Sequence, residues 1–452
     1  MIRIASGAGF WGDYPDAPGR LLERTGMDED EDLEYLQLEY LAEVTMGILA
    51  RLQESGRPGY ATDFVELIID EHLEELLDRD ITVVTNAGGI DPDSCADRVA
   101  ELAAERGRDP TIATVTGSEI TTAVADLAHT GEISHLETGE PMPDDIEPLA
   151  AAAYLGAIPI RDALAADADI VITGRVADPA LTLGPLLYEF DWSATDYDRL
   201  AAGTVAGHLI ECGTQVTGGN FLGEWEDLSF TDIGYPIAEV TADGTVTITK
   251  PSGTGGAVTT DTVTEQLVYE IGDPTAYLTP DVTADFTSIE LSEPATDRVQ
   301  LAGITGHAPP DQLKATVHHQ RGYKVAGQLL YSQPNALEKA KRAAAILDER
   351  IDELGLELSE THVEYIGHNA AHGPMAPNRG EYNEIMVRLA ARGPVKDDLR
   401  RLGMEFAPLS MAGPPAVTGL TDGGRPSPTP VIDTWPTLVS REHVDPEVTI
   451  RA

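Results

Sequence analysis

The side chains best suited to chemistry stand where apolar runs break. A helical run over 197–210 ends in Glu211-Cys-Gly-Thr-Gln-Val-Thr-Gly-Gly-Asn220. His208 and Glu211 are three residues apart, can share a helical face, and could pass a proton between them. Further back, the apolar run Ile170-Val-Ile172 breaks into Thr173-Gly-Arg175 and restarts as a helix near Asp178-Pro179. Arg175 leaves the strand where it can reach an anion. Asp178 can cap the new helix, with Pro179 in its first position. The bland reading is an ordinary β-α turn with a surface arginine. Acid–base catalysis by His208, Glu211 and Asp178 needs the fewest further assumptions. Cys212 is a second candidate, a nucleophile with His208 as base and the Gly213 and Gly218-Gly219 amides as oxyanion donors. Most free cysteines, however, are packing residues.

Glycine-rich loops supply the candidate binding residues. The first strand, Ile2-Arg-Ile-Ala5, runs into Ser6-Gly-Ala-Gly-Phe-Trp-Gly-Asp13. A later strand ends in Asn86-Ala-Gly-Gly89, and a hairpin leads to Lys250-Pro-Ser-Gly-Thr-Gly-Gly256. Backbone amides between glycines can approach an anion closely. Gly7, Gly9, Asp13, Asn86, Gly88, Gly89, Arg175, Gln215, Asn220, Lys250, Gly253 and Gly255 are therefore the expected substrate contacts, holding a carboxylate or phosphate. Neither a dinucleotide fingerprint nor a P-loop is present. Trp11, Pro15 and Pro18 interrupt the first loop, and Lys250 precedes its glycines instead of following them. His368 and His372 are four apart in an expected loop, and His318-His319 are adjacent, but no zinc-binding pattern appears. No metal is assigned.

These residues need a frame. Strands at 81–85 and 111–116, each followed by a helix, give a β-α rhythm and predict a parallel sheet with right-handed crossovers. The fold class is α/β, with a parallel-sheet N-terminal domain over 1–222 and a β-rich and α+β region over 223–452. Residues 28–32 are an acidic run, read as a solvated helix entry. Leu36, Tyr40, Val44 and Leu49 have helical spacing, so 33–52 is expected to be a helix that places Glu39 and Glu43 one turn apart. Ser118 is read as a helix cap. Helical segments are expected between 148 and 168. Ile237–Val240 and Val246–Thr249 flank Asp243-Gly244 as a hairpin. Further on, 315–320 and 324–331 read as paired strands before a helix over 335–354 and strands at 362–366 and 384–389. Residues 407–430, rich in proline and glycine, read as a loop or partner arm.

Composition narrows the partners. The formal charge is −47, with 77 acidic against 30 basic residues, only six of them lysines. Such an acid shell suits hydration in concentrated salt, as in a halophile, and makes nucleic acid an unsuitable partner. Two cysteines make no disulfide framework. No basic, apolar leader or long apolar window is seen, so a cytoplasmic protein outside the membrane is expected.

Five motifs in order then resemble the acyclic terpene utilisation (AtuA) family. They are Ser6-Gly-Ala-Gly-Phe10; Val84-Thr-Asn-Ala-Gly-Gly89; Thr173-Gly-Arg175 with Ala177-Asp-Pro-Ala180; Gly207-His-Leu-Ile-Glu-Cys-Gly213 with Thr217-Gly-Gly-Asn220; and Lys250–Gly256 followed by Thr264-Glu-Gln266. The sequence is similar to a haloarchaeal-type member. One departure is Glu39-Tyr-Leu-Ala-Glu43, where the family pattern begins with Asp. The resemblance implies catabolism of branched or terpenoid acids through CoA thioesters. The expected protein is an enzyme acting on a carboxylic acid or its acyl-CoA, by non-redox lyase or hydratase chemistry. It would use no cofactor beyond CoA carried by the substrate. A non-catalytic subunit of an acyl-CoA-processing complex and a Cys212 hydrolase are the alternatives, and self-association is left open.

Overall fold

In a computed structural model, residues 1–26, 32–377, 380–418 and 424–451 are described. The acidic run at 28–32 lies almost wholly outside them, as does part of 407–430. The chain forms two compact units, residues 1–319 with 434–452, and residues 320–433. Position 222 falls inside the first unit.

The first unit is built on a sheet of ten strands among the described residues. Its centre is parallel, in the order Ile2–Ser6, Tyr35–Leu38, Thr82–Thr85, Ile170–Thr173, Ile112–Thr116. These strands are apolar without alternation because both faces are covered. On one face Val84, Val115 and Val171 pack against the helices Ile158–Leu164, Ala180–Phe190 and Tyr197–Ile210. On the other, Leu36, Val83 and Ile172 pack against Ala17–Thr25, Phe64–Ile69 with the following Asp70–Asp78, and Pro92–Glu105. The hairpin Ile237–Val240 and Val246–Thr249 joins the same sheet antiparallel beside Ile2–Ser6. The β-rich stretch after 222 thus extends the parallel sheet.

Four local expectations are corrected. Residues 33–52 are not one helix: Tyr35–Leu38 is a fully buried strand between two parallel neighbours, and the helix begins only at Thr45. The helical spacing of Leu36, Tyr40 and Val44 was overridden by burial on both sides of the sheet. Pro148–Ala153 is likewise a strand, paired with Ala315–His319, rather than a helix. Residues 315–331 are not a hairpin but parts of one strand, Gln312–Ser332, because each half has its own partner. Finally, Ser118 caps nothing; the helix starts at Thr121, and the serine hydroxyl accepts the Arg175 amide at 3.2 Å.

The second unit is a helix on an antiparallel sheet. The helix Ala336–Leu354 packs its buried Ala340, Ala343 and Leu347 against Val325, Leu329, Val387 and Leu389 of the strands. Glu384–Gly393 lies between Glu360–Ile366 and residues 323–332, the α+β arrangement expected for this stretch.

Candidate active site

Open α/β sheets place ligands at the carboxyl ends of their strands, and there the sequence puts Glu39, Asn86, Ser118 and Arg175. Each follows its strand by one or two residues. Asn86 donates its side-chain N–H to Glu39 Oε1 and accepts the Tyr40 amide at 2.8 Å. Glu39 Oε1 also accepts the Leu41 amide at 2.8 Å, while Oε2 is buried with no partner among the described residues. Burial, and the charge of nearby Asp178, push the Glu39 carboxyl up to about 8 despite Arg175. This carboxyl is therefore largely protonated at neutral pH.

Arg175 is 2% exposed and fully engaged in the frame. It donates to the Val176 carbonyl at 2.9 Å, to the Leu41 carbonyl and to Asp178, and its guanidinium lies 4.6 Å from the centre of the Tyr154 ring. The expected cap is corrected here. The helix begins at Ala180 with Pro179 in the capping position, and the Asp178 carboxylate turns to Arg175. The buried guanidinium demands a counter-charge, and Asp178 is the carboxylate that supplies it.

His208 and Glu211 arrive from the helix Tyr197–Ile210, which is buried over 200–210. A Cβ on Gly207 would come 2.7 Å from the Pro179 backbone. Glycine there lets the helix press against the loop that carries Asp178. His208 Nδ1 lies 3.1 Å from Glu211 Oε1, and Nε2 lies 3.1 Å from the Gln266 carbonyl. A carbonyl only accepts, so Nε2 carries hydrogen. The Nδ1 contact then needs one shared proton, as imidazolium with carboxylate or as imidazole with carboxylic acid. Burial disfavours the imidazolium, but the Glu211 hydrogen bond and charge outweigh it and raise His208 above its ordinary value. Burial pushes Glu211 up to about 7 against the pull of His208. The second Glu211 oxygen is buried and has no partner among the described residues.

These groups meet at a cavity of about 830 Å3. Arg175, Asp178, His208 and Glu211 line it together with Glu43, Tyr154, Glu270 and Lys314. Lys314 is paired with Glu43 at 3.5 Å and lies 5.0 Å from the Tyr154 ring centre. The last four were not singled out as site residues from sequence. Only two had a signal, Glu43 as the second acid of the Glu39–Glu43 motif and Lys314 as one of six lysines.

The other sequence candidates fall elsewhere. Asn86 is absent from the cavity lining, as is Glu39, to which it donates. Both Asp13 oxygens serve their own loop, accepting the Gly9 and Tyr14 amides and the Tyr235 hydroxyl. A Cβ on Gly9 would lie 2.8 Å from the Cys212 carbonyl carbon, and one on Gly88 2.6 Å from the Thr173 oxygen. Gly7 packs on Leu38, Gly89 on Leu49 and Gly255 on the Ser229 carbonyl. Gly253, Gln215 and Asn220 are likewise absent from the cavity lining. These loops use their small residues for close chain-to-chain approach. Lys250 pairs with Asp297 at 3.0 Å and donates to the Thr254 carbonyl at 2.9 Å. Cys212 also lies off the lining, and burial with the neighbouring Glu211 pushes its thiol up to about 12. His318 is buried, held low at about 4 by burial, and so neutral. Among the described residues no three His, Cys, Asp or Glu side chains converge as metal ligands.

The description "acyclic terpene utilisation family protein AtuA" matches residues 2–450, nearly the whole chain. The chain belongs to the AtuA family. Membership gives this AtuA protein a role in acyclic terpene utilisation, which is broadly catabolic. No curated protein and no solved structure matches it. Among the described residues of the AtuA chain, no helix is long and apolar enough to cross a membrane.

One consequence is measurable without a substrate. Glu39 has a folded value of about 8 against an ordinary value of 4.5. The folded state holds this proton where the unfolded chain has lost it. The stabilisation is complete below about pH 4.5 and lost as pH rises towards 8. Glu39→Gln keeps an oxygen for Leu41 and Asn86 and carries no charge. Its melting temperature is expected to match the parent at pH 5 and exceed it at pH 8.5. Parallel curves across that range would contradict a buried, protonated Glu39.

Proposed function

We propose that the protein is an enzyme of terpenoid catabolism that binds a branched acyl group through its uncharged thioester carbonyl and moves a proton with Glu211, oriented by His208. The observation that carries this reading is the 3.1 Å contact between His208 Nδ1 and Glu211 Oε1, in a Glu211 that lines an 830 Å3 cavity and whose other oxygen has no partner among the described residues. A group titrating near 7 suits proton transfer at neutral pH. The cavity also favours an uncharged functional group. Its Arg175 and Lys314 are paired with Asp178 and Glu43, and the His208–Glu211 pair with its one shared proton is neutral overall, which leaves Glu270 and Asp311 in excess. A free carboxylate would meet net repulsion, whereas a thioester carbonyl would not.

The chemistry that fits is addition or removal of water next to the acyl carbonyl. Glu211 takes a proton from water as the water oxygen bonds to the β-carbon of an unsaturated thioester. The same carboxyl then returns the proton to the α-carbon. One carboxyl thus serves as base and acid, and no electrons leave the substrate. Cleavage of a C–C bond β to the carbonyl uses the same base.

Incubation with a panel of branched unsaturated and hydroxylated acyl-CoA thioesters, read by product mass, tests this. A mass gain or loss of one water is the expected result. Binding without turnover across the panel would overturn it in favour of the non-catalytic subunit. Cys212→Ala is expected to keep activity within about twofold, since its protonated thiol is a poor nucleophile; loss of all turnover would restore the hydrolase reading.

A further inference from the structure

A second cavity of about 480 Å3 lies beside the first and differs in chemistry. Pro280 and Leu313 line both, so the two spaces meet across these side chains. Leu155, Leu187 and Leu200 form a buried apolar wall. The charged groups at its edge already have partners. Arg441 donates to the Pro310 carbonyl at 3.0 and 3.2 Å and to the Pro280 carbonyl at 2.6 Å. Both Asp281 oxygens lie 3.0 Å from the Ala157 amide. Arg161 pairs with Asp162 at 2.6 Å. Arg441 also ties together the two backbone segments that separate the cavities. Such a space offers an incoming molecule contact area and little polar recognition.

We propose that this second cavity binds the hydrocarbon chain of the substrate whose functional group lies beside Glu211. Three features argue for that occupant: the apolar wall, the engaged charges and the shared boundary with a polar cavity. A volume of 480 Å3 also lies within the range of about 300–1,000 Å3 usual for small-ligand sites. The placement of the functional group rests on the proposed reaction site, but chain binding does not.

The two are separable with probes that carry no thioester. Binding of a straight-chain alcohol series, from hexanol to dodecanol, is measured calorimetrically on the full chain. Affinity is expected to rise about fourfold per added methylene, the equivalent of about 0.8 kcal/mol, until the cavity is filled. Ala194→Trp places an indole in the lining from an exposed position and is expected to flatten the rise. Ile158→Ala, at a position 40% exposed, enlarges the space and is expected to carry the rise to longer chains. Both positions are open to solvent, and matching melting curves confirm folding. Glu211→Gln is expected to keep the parent slope. A flat series in the parent, or an unchanged slope in Ala194→Trp, overturns the chain site. A steep series that Ala194→Trp flattens, with no thioester turned over, overturns only the reaction.

Discussion

Glu211→Gln is expected to lower kcat by about 10²–10⁴-fold, the usual contribution of a positioned acid or base. The change is nearly isosteric. The glutamine amide can donate to His208 Nδ1 while Nε2 keeps its bond to the Gln266 carbonyl, so the geometry survives and the mobile proton does not. Folding should be unharmed, because a buried ionisable group becomes neutral. In the parent, the rate should rise with pH through an apparent value near 7, belonging to the His208–Glu211 pair as a unit. His208→Gln separates positioning from catalysis. Burial raises Glu211 and His208 lowers it, so removing the histidine should move the rising limb to higher pH and reduce the rate less than Glu211→Gln does. A Glu211→Gln enzyme with the parent rate and pH profile would falsify the assignment.

Arg175→Met carries the largest expected effect on stability, a loss of about 3–5 kcal/mol, the range for breaking a buried ion pair by removing one partner. Arg175 is 2% exposed and holds the Leu41 and Val176 carbonyls as well as Asp178. Methionine fills the space over Tyr154 but leaves those acceptors without a donor and removes the counter-charge for Asp178. Arg175→Lys should recover little, since a single ammonium cannot reproduce the planar fork. Denaturant midpoints measure the loss. If Arg175 instead held the substrate anion, as its place after a strand first implies, the variant would raise KM and leave the midpoint unchanged.

Much of the frame is written in the sequence. The apolar runs at 82–85, 112–116 and 170–173, each ending in small or polar residues, mark parallel strands because a strand covered on both faces leaves no alternation. The helix at 197–210 and the three-residue spacing of His208 and Glu211 are equally legible, since helical contacts are local. The Asp243-Gly244 hairpin is local too. The strand at 35–38 is not. Its apolar residues satisfy helical and buried-strand patterns alike, and only pairing with Ile4–Ser6 and Thr82–Thr85 chooses between them.

By itself, the sequence determined the parallel core, the family motifs and the His208–Glu211 pair. All of these depend on spacing along a few dozen residues. The tertiary structure alone decided which charges are free to act. Arg175 and Lys250 look identical to anion-binding cations until Asp178 and Asp297 close on them from positions 3 and 47 residues away. Glu39 looks like one more surface acid until Asn86, 47 residues on, buries it. The glycine loops look like ligand cradles until the backbone segments that fill them are in place. Pairing and desolvation set the chemistry of an ionisable group, and both depend on neighbours that only the folded chain supplies.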